Sequence, residues 1–197
     1  MRNMLASLLL LSALNACVSA RIKWPPVQLE AGEELLWFSA VEGLPRGSVV
    51  LSTEIQKGHR DPFRFQGVFE NNGDAVSLVG MTPLGTRAFS QEFDEYGNHY
   101  DALPFYRMPI KAEKLLFYWL VASMPLENVQ ANLQGLRVSE TPDGVRQVKR
   151  GQHLVASIQR QGSIAKPRFE ITIPHRKAAK TRRVLFQVHQ QDFDKQP

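Results

Sequence analysis

"FRFQGVFENNGDAVSLVGMTPLGTRAFSQEFD", residues 63–94, keeps a period of two through most of its length. Phe63, Phe65 and Phe69 fall on one side of its first run, and Arg64, Gln66 and Glu70 on the other. Successive side chains of a strand point to opposite faces, so this spacing predicts a strand with one apolar face. Asn71-Asn72-Gly73-Asp74 then supplies residues that tolerate positive φ, the chemistry of a hairpin turn. The chain returns through "AVSLVGM", turns at "TPLG" and leaves again through "TRAFSQEFD", where Phe89 and Phe93 alternate with Ser90 and Glu92. Three consecutive antiparallel strands are expected, followed by a further turn at "EYGN".

The same rhythm extends outward. Upstream, "LLWFSAV" (Leu35–Val41) and "SVVLSTEI" (Ser48–Ile55) are rich in β-branched and aromatic residues and are divided by "EGLPRG". Downstream the period changes. "KAEKLLFYWLVASM" (Lys111–Met124) contains no breaker and stops at Pro125, and its apolar residues surround most of a helix circumference. A helix that is apolar all round must be largely buried. "PLENVQANLQG" predicts a shorter second helix, with Pro125 at its start and Gly135 past its end.

Period two then resumes in "LRVSETPDGVRQVKRG", a hairpin around Pro142-Asp143-Gly144. In "QHLVASIQRQG", Leu154, Ala156 and Ile158 are expected opposite His153, Val155 and Ser157. "PRFEITI" sets Phe169, Ile171 and Ile173 against Arg168, Glu170 and Thr172, and "RRVLFQVHQ" closes the set with Val184, Phe186 and Val188. The fold class expected is α+β, mainly β: a curved antiparallel sheet, or open half-barrel, covered by two central helices. Its concave side is either filled or left as an apolar cleft.

The N-terminus bears on compartment. Arg2 precedes Leu5–Leu14, an apolar run too short for a membrane-spanning helix, which needs about 20 residues, but suited to the core of a secretion signal. Leu14-Asn15-Ala16-Cys17 follows and resembles the lipobox of bacterial lipoproteins. That resemblance implies a signal peptide over 1–16, a diacylglycerol on the Cys17 sulfur, an acylated new amino terminus and a tether over 17–28. A plain signal peptide with an incidental cysteine is the alternative. Cys17 is the only cysteine, and a thioether-linked lipid would spare an unpaired thiol from mispairing in an oxidising compartment. Two or three acyl chains anchor firmly where one holds weakly. Val18, where lipoproteins retained on the inner membrane commonly carry aspartate, points to the outer membrane, facing the periplasm.

Residues 29–192 are expected to form one domain. Cleavage before Cys17 would lower the formal net charge of +5 by one, since Arg2 is the only charged residue removed. In such a compartment the expected counter-charges are lipid phosphates or acidic polymers, with no nucleic acid.

"AVSLVGMTPLGTRAFSQEFDEYG" (Ala75–Gly97), taken with "EKLLFYWLVASMPLENV" (Glu113–Val129), resembles a family of predicted outer-membrane lipoproteins related in expected fold to the lipoprotein carriers LolA and LolB. Some members of that family are encoded among genes for aryl-polyene pigments, beside exporters. The resemblance covers most of the chain from about Leu29 and is sharpest over Leu78–Phe89. It implies a half-barrel whose cavity accepts acyl chains, with an aryl-polyene lipid or a lipoprotein as cargo and a periplasmic carrier or exporter as possible partner. LolB also carries an exposed hydrophobic loop that helps insert lipid. The candidate for it here is "LPFYRMP" (Leu103–Pro109), which could equally be a plain strand-to-helix connection.

Candidate cavity-lining residues are Phe63, Phe65, Phe69, Leu78, Phe89 and Phe93 from the first strands, Leu116, Trp119 and Leu120 from the helix, and Phe169 and Phe186 from the last strands. Plain core is the alternative for this aromatic set. Leu84, at the tip of "TPLG", would border the cavity mouth or touch a partner, although Pro83 and Gly85 are already explained by turn chemistry. "IPHRKAAKTRR" gathers Arg176, Lys177, Lys180, Arg182 and Arg183 as a candidate contact for phospholipid or lipopolysaccharide phosphates, or as a solvated loop.

No catalytic residue emerges. There is no Gly-x-Ser-x-Gly elbow, and His59, His99, His153, His175 and His189 lie far apart with no metal-ligand spacing. Asp61, Glu92, Asp94 and Glu95 suggest no paired-carboxylate site. The expectation is a non-enzyme with no cofactor beyond the covalent lipid on Cys17. The function expected is binding of lipidic cargo and its placement in the outer membrane. A non-carrying adaptor of a transport or assembly complex is the other possibility.

Overall fold

A computed structural model describes residues 27–28, 34–37, 46–94, 96–174 and 181–193. The signal segment, Cys17, most of the tether and residues 175–180 lie outside them. Two short strands come first, β1 (Val27–Gln28) and β2 (Glu34–Trp37), paired antiparallel. The tether expected to run to Gln28 thus ends in a strand.

The body is a ten-stranded antiparallel sheet. Its first half is β3 (Gly47–Lys57), β4 (Phe63–Asn71), β5 (Val76–Met81), β6 (Arg87–Asp94) and β7 (Gly97–Ala102). Next come α1 (Ala112–Ser123), α2 (Leu126–Asn132) and the two-residue β8 (Leu133–Gln134), which pairs with β2. The second half is β9 (Arg137–Glu140), β10 (Val145–Arg150), β11 (His153–Gly162), β12 (Pro167–Ile173) and β13 (Arg182–Phe193). The order across the sheet is β7-β6-β5-β4-β3-β13-β12-β11-β10-β9, so the last strand joins the two halves at β3. This is the curved open sheet with two helices that the period-two and helical patterns predict.

The expected hairpins form. Pairing of Val68 with Val79 and of Val79 with Ser90 fixes the register of β4, β5 and β6. Phe65, Phe69, Leu78, Phe89 and Phe93 all enter the core, as do Val184, Phe186 and Val188 across the joint. Every residue of α1 from Leu115 to Ala122 is buried. The helix lies on the inner side of the sheet, where Trp119 packs ring to ring on Phe69, Phe169 and Phe186, with centroids 5.6–5.8 Å apart.

Three bulges depart from simple alternation, one of them on β6, where Gly80 pairs with Phe89 and Met81 with Arg87, so that Ala88 is the extra residue. On β11, Val148 pairs with Ala156 and the adjacent Lys149 with Leu154, leaving Val155 as the extra residue. Val155 is therefore buried instead of facing outward with His153, and Leu154 is only half-buried. An inserted residue shifts the faces on one side of it. On β13, Val188 pairs with Leu51 and Gln190 with Val50, so His189 is the bulged residue.

Candidate functional site

The antiparallel order sets which loops share an end of the sheet. The β5–β6 turn, the loops after β3 and β7, and the start of β13 all lie at one rim. The turns after β4, β6, β9 and β11 lie at the other.

The first rim is built from two tight turns. In Thr82–Thr86, the Gly85 N–H donates to the Thr82 carbonyl at 2.9 Å, and the Thr82 N–H donates to Thr86 at 2.9 Å. Gly85 has φ 77°, which closes the loop. The same construction recurs in Thr141–Val145, where Gly144 donates to Thr141 and Thr141 to Val145, both at 2.9 Å, with Gly144 at φ 74°. One turn carries Asp143 at the third position and the other Leu84. Turn chemistry is met by aspartate, so it does not require the leucine, which is 93% exposed.

The second turn follows β7. The Tyr106 N–H donates to the Leu103 carbonyl at 3.0 Å, which puts Pro104 and Phe105 at its two central positions. Phe105 has φ 66°, a left-handed conformation that turns ordinarily give to glycine, and is 95% exposed. The Leu103 N–H donates to the Ala88 carbonyl at 2.9 Å, holding this loop against the foot of β6, next to the turn that carries Leu84. Tyr106 folds the other way, stacking on Phe89 and edge-on to Phe63. Burial raises its phenol pKa, and the neighbouring Tyr100 adds to the shift.

Basic side chains share this rim: Arg60, Arg87 and Arg107 are exposed, and Lys57 and Arg182 are half-buried. Arg87 is bonded to Asp101 at 2.8 Å and Arg183 to Glu170 at 3.0 Å. Of the basic residues singled out in the sequence, Arg182 and Arg183 therefore stand here, while Arg176, Lys177 and Lys180 fall outside the described residues. Tyr96 and Ile164, also exposed, sit at the opposite rim on turns of distant strands.

The candidate lining residues come together on the inner side of the sheet. Phe65, Phe69, Leu78, Phe89, Phe93, Leu116, Trp119, Leu120, Phe169 and Phe186 are buried in one cluster, with Phe63 packed at its border. Two polar side-chain atoms buried with it, Thr53 Oγ1 and Trp119 Nε1, have no hydrogen-bond partner among the described residues. Grooves open elsewhere. One of about 440 Å³ crosses the outer face between Ser52, Glu54, Arg64, Gln66 and Gln187. Another of about 340 Å³ runs between Tyr100, Met108, Ile110 and Glu113, at the sheet edge.

Several constellations carry no signal in the sequence. Arg146 reaches from β10 to the C-terminal end of α1 and donates to the Val121 and Met124 carbonyls at 2.6 and 2.8 Å. Phe89 lies directly over Gly80, where a Cβ would fall inside its ring. Ser52 and the bulged His189 are bonded at 2.6 Å on the outer face. Asp94 accepts bonds from the Tyr96 and Gly97 N–H groups and His99. Burial would push its carboxyl up, but these bonds outweigh that and hold it below the usual range. Among the described residues, no three His, Cys, Asp or Glu side chains are grouped to hold a metal, and no helix is long and apolar enough to cross a membrane.

The architecture defines a class: an open antiparallel half-barrel with a buried helix along its inner side. Residues 50–181 match the family model described as protein of unknown function (DUF3261). The match spans more than half of the chain, which belongs to that family. No curated protein matches it.

Proposed function

We propose that this is an outer-membrane lipoprotein, anchored through Cys17 and facing the periplasm, that binds lipidic cargo against its inner aromatic surface and helps place it in the membrane. The reading extends the resemblance to LolA and LolB carriers, with an aryl-polyene lipid or a lipoprotein as cargo and a periplasmic carrier or exporter upstream. The observation that carries it is the rim. Two adjoining turns present Leu84 and Phe105 to solvent, one in place of a polar turn residue and the other in a strained backbone conformation. Apolar tips ringed by Arg60, Arg87, Arg107 and Arg182 suit the boundary between anionic headgroups and acyl chains.

Thr53 Oγ1 and Trp119 Nε1 add support. Each buried polar atom without a partner costs about 1–3 kcal/mol. A lipid ester or amide that enters beside α1 would offer the acceptor that the indole N–H lacks. The close tilted and edge-on packing of Trp119 against three phenylalanines favours the second reading, a non-carrying adaptor with a filled interior.

The two separate experimentally. The full chain is purified from its native host in mild detergent, and non-covalent lipid is extracted for mass spectrometry, the lipid on Cys17 remaining with the protein. The carrier reading predicts a stoichiometric acyl lipid that is lost on Trp119→Ala. Extracts no richer in lipid than those of an unrelated acylated protein leave the adaptor.

A further inference from the structure

The two edges of the ten-stranded sheet are treated differently. At β9 the neighbouring α2 lies alongside, and Gln130 donates to the Val138 carbonyl at 2.8 Å. At β7 no described strand pairs beyond the one that joins it to β6. Its residues Asn98, His99, Tyr100 and Asp101 are all exposed. Exposed edges are usually blunted by charged side chains, above all lysine, by proline or by a bulge; Gly97–Ala102 has no lysine, proline or bulge, and its one acid, Asp101, is paired with Arg87. We propose that this edge is an interface, and that its occupant is β7 of a second copy of the chain, paired antiparallel about a two-fold axis through Tyr100.

Side-chain complementarity selects both the partner and the register. A two-fold axis normal to the sheet keeps each residue on its own face, so the pairing must be centred on a residue. Centring on His99 sets two histidines opposite each other, and centring on Asp101 opposes two carboxylates, which is unfavourable. Centring on Tyr100 sets His99 of one copy opposite Asp101 of the other, twice. Asp101 is already bonded to Arg87 at 2.8 Å and His99 to Asp94 at 3.2 Å on the same outer face. The joint would then carry a continuous row of hydrogen-bonding side chains: Asp94, His99, the partner's Asp101 and the partner's Arg87. On the inner face the two Tyr100 rings would meet beside the groove lined by Met108 and Ile110.

Disulfide trapping tests the register in the full chain carrying Cys17→Ser, so that an introduced thiol is alone. With Tyr100→Cys the two sulfurs face each other across the axis, within bonding range. With Asn98→Cys they are about 14 Å apart along the paired strands. The proposal predicts a dimer in density-matched sedimentation of the unmodified chain, and oxidation of Tyr100→Cys to covalent dimer at least tenfold faster than Asn98→Cys. A monomer at all concentrations, or equal trapping rates for the two variants, overturns it. Neither readout depends on lipid cargo, so failure here leaves the carrier reading standing.

Discussion

Gly80 and Phe89 show how a single position can fix the packing of a whole strand pair. Gly80 faces the core opposite Phe89, whose ring occupies the space that a side chain would take. The bulge beside this pair brings Ala88 inward as well, and Phe89 goes on to contact Phe65 and Tyr106. Gly80→Ala should therefore cost about 1–3 kcal/mol through overpacking, read as a lowered urea midpoint. A glycine that tolerated alanine without loss would mean that the ring moves freely. Arg146 is the second such position. Its guanidinium satisfies carbonyls at the end of α1 that have no partner within the helix and opposes the negative end of the helix dipole. Arg146→Met keeps the stem but removes the donors, and should destabilise the fold by about 2 kcal/mol. Unchanged thermal unfolding of that variant would show the contact to be incidental.

At the scale of elements, legibility followed burial on a single face. The strands of residues 63–94 each bury one regular set of apolar side chains, so their period survives in the sequence, whereas α1, buried on all sides from Leu115 to Ala122, shows as an unbroken apolar run. β7 has no such pattern, because an edge strand with Asn98, His99, Tyr100 and Asp101 all exposed has no apolar face to repeat. Val155 reads as an outward residue until the bulge that turns it inward is known, and nothing in "HLVASI" announces the bulge. That these aromatics share one side of the sheet was legible for the same reason as the strands: each sits on the core side of its own element. The rim was only half legible. Leu84 stood out within "TPLG", but the left-handed conformation of Phe105 depends on a hydrogen bond across its turn and on the loop's attachment to Ala88.

For the molecule as a whole, the sheet supplies an apolar inner side and a rim where greasy tips and basic groups adjoin, and the proposed acyl anchor at Cys17 would keep that rim near a bilayer. Binding alone would not make a carrier, since cargo must also leave. A surface that buries only part of an acyl chain, at about 0.8 kcal/mol per methylene, permits handover. The direct measurement is transfer of a fluorescent acyl lipid between donor and acceptor vesicles that contain phosphatidylglycerol. The full chain is compared with one carrying Leu84→Asp and Phe105→Asp. The carrier account predicts that the unmodified chain accelerates transfer, and that the double variant loses at least tenfold of this while retaining its bound lipid. Transfer no faster than in protein-free vesicles, or equal rates for the two chains, would contradict it.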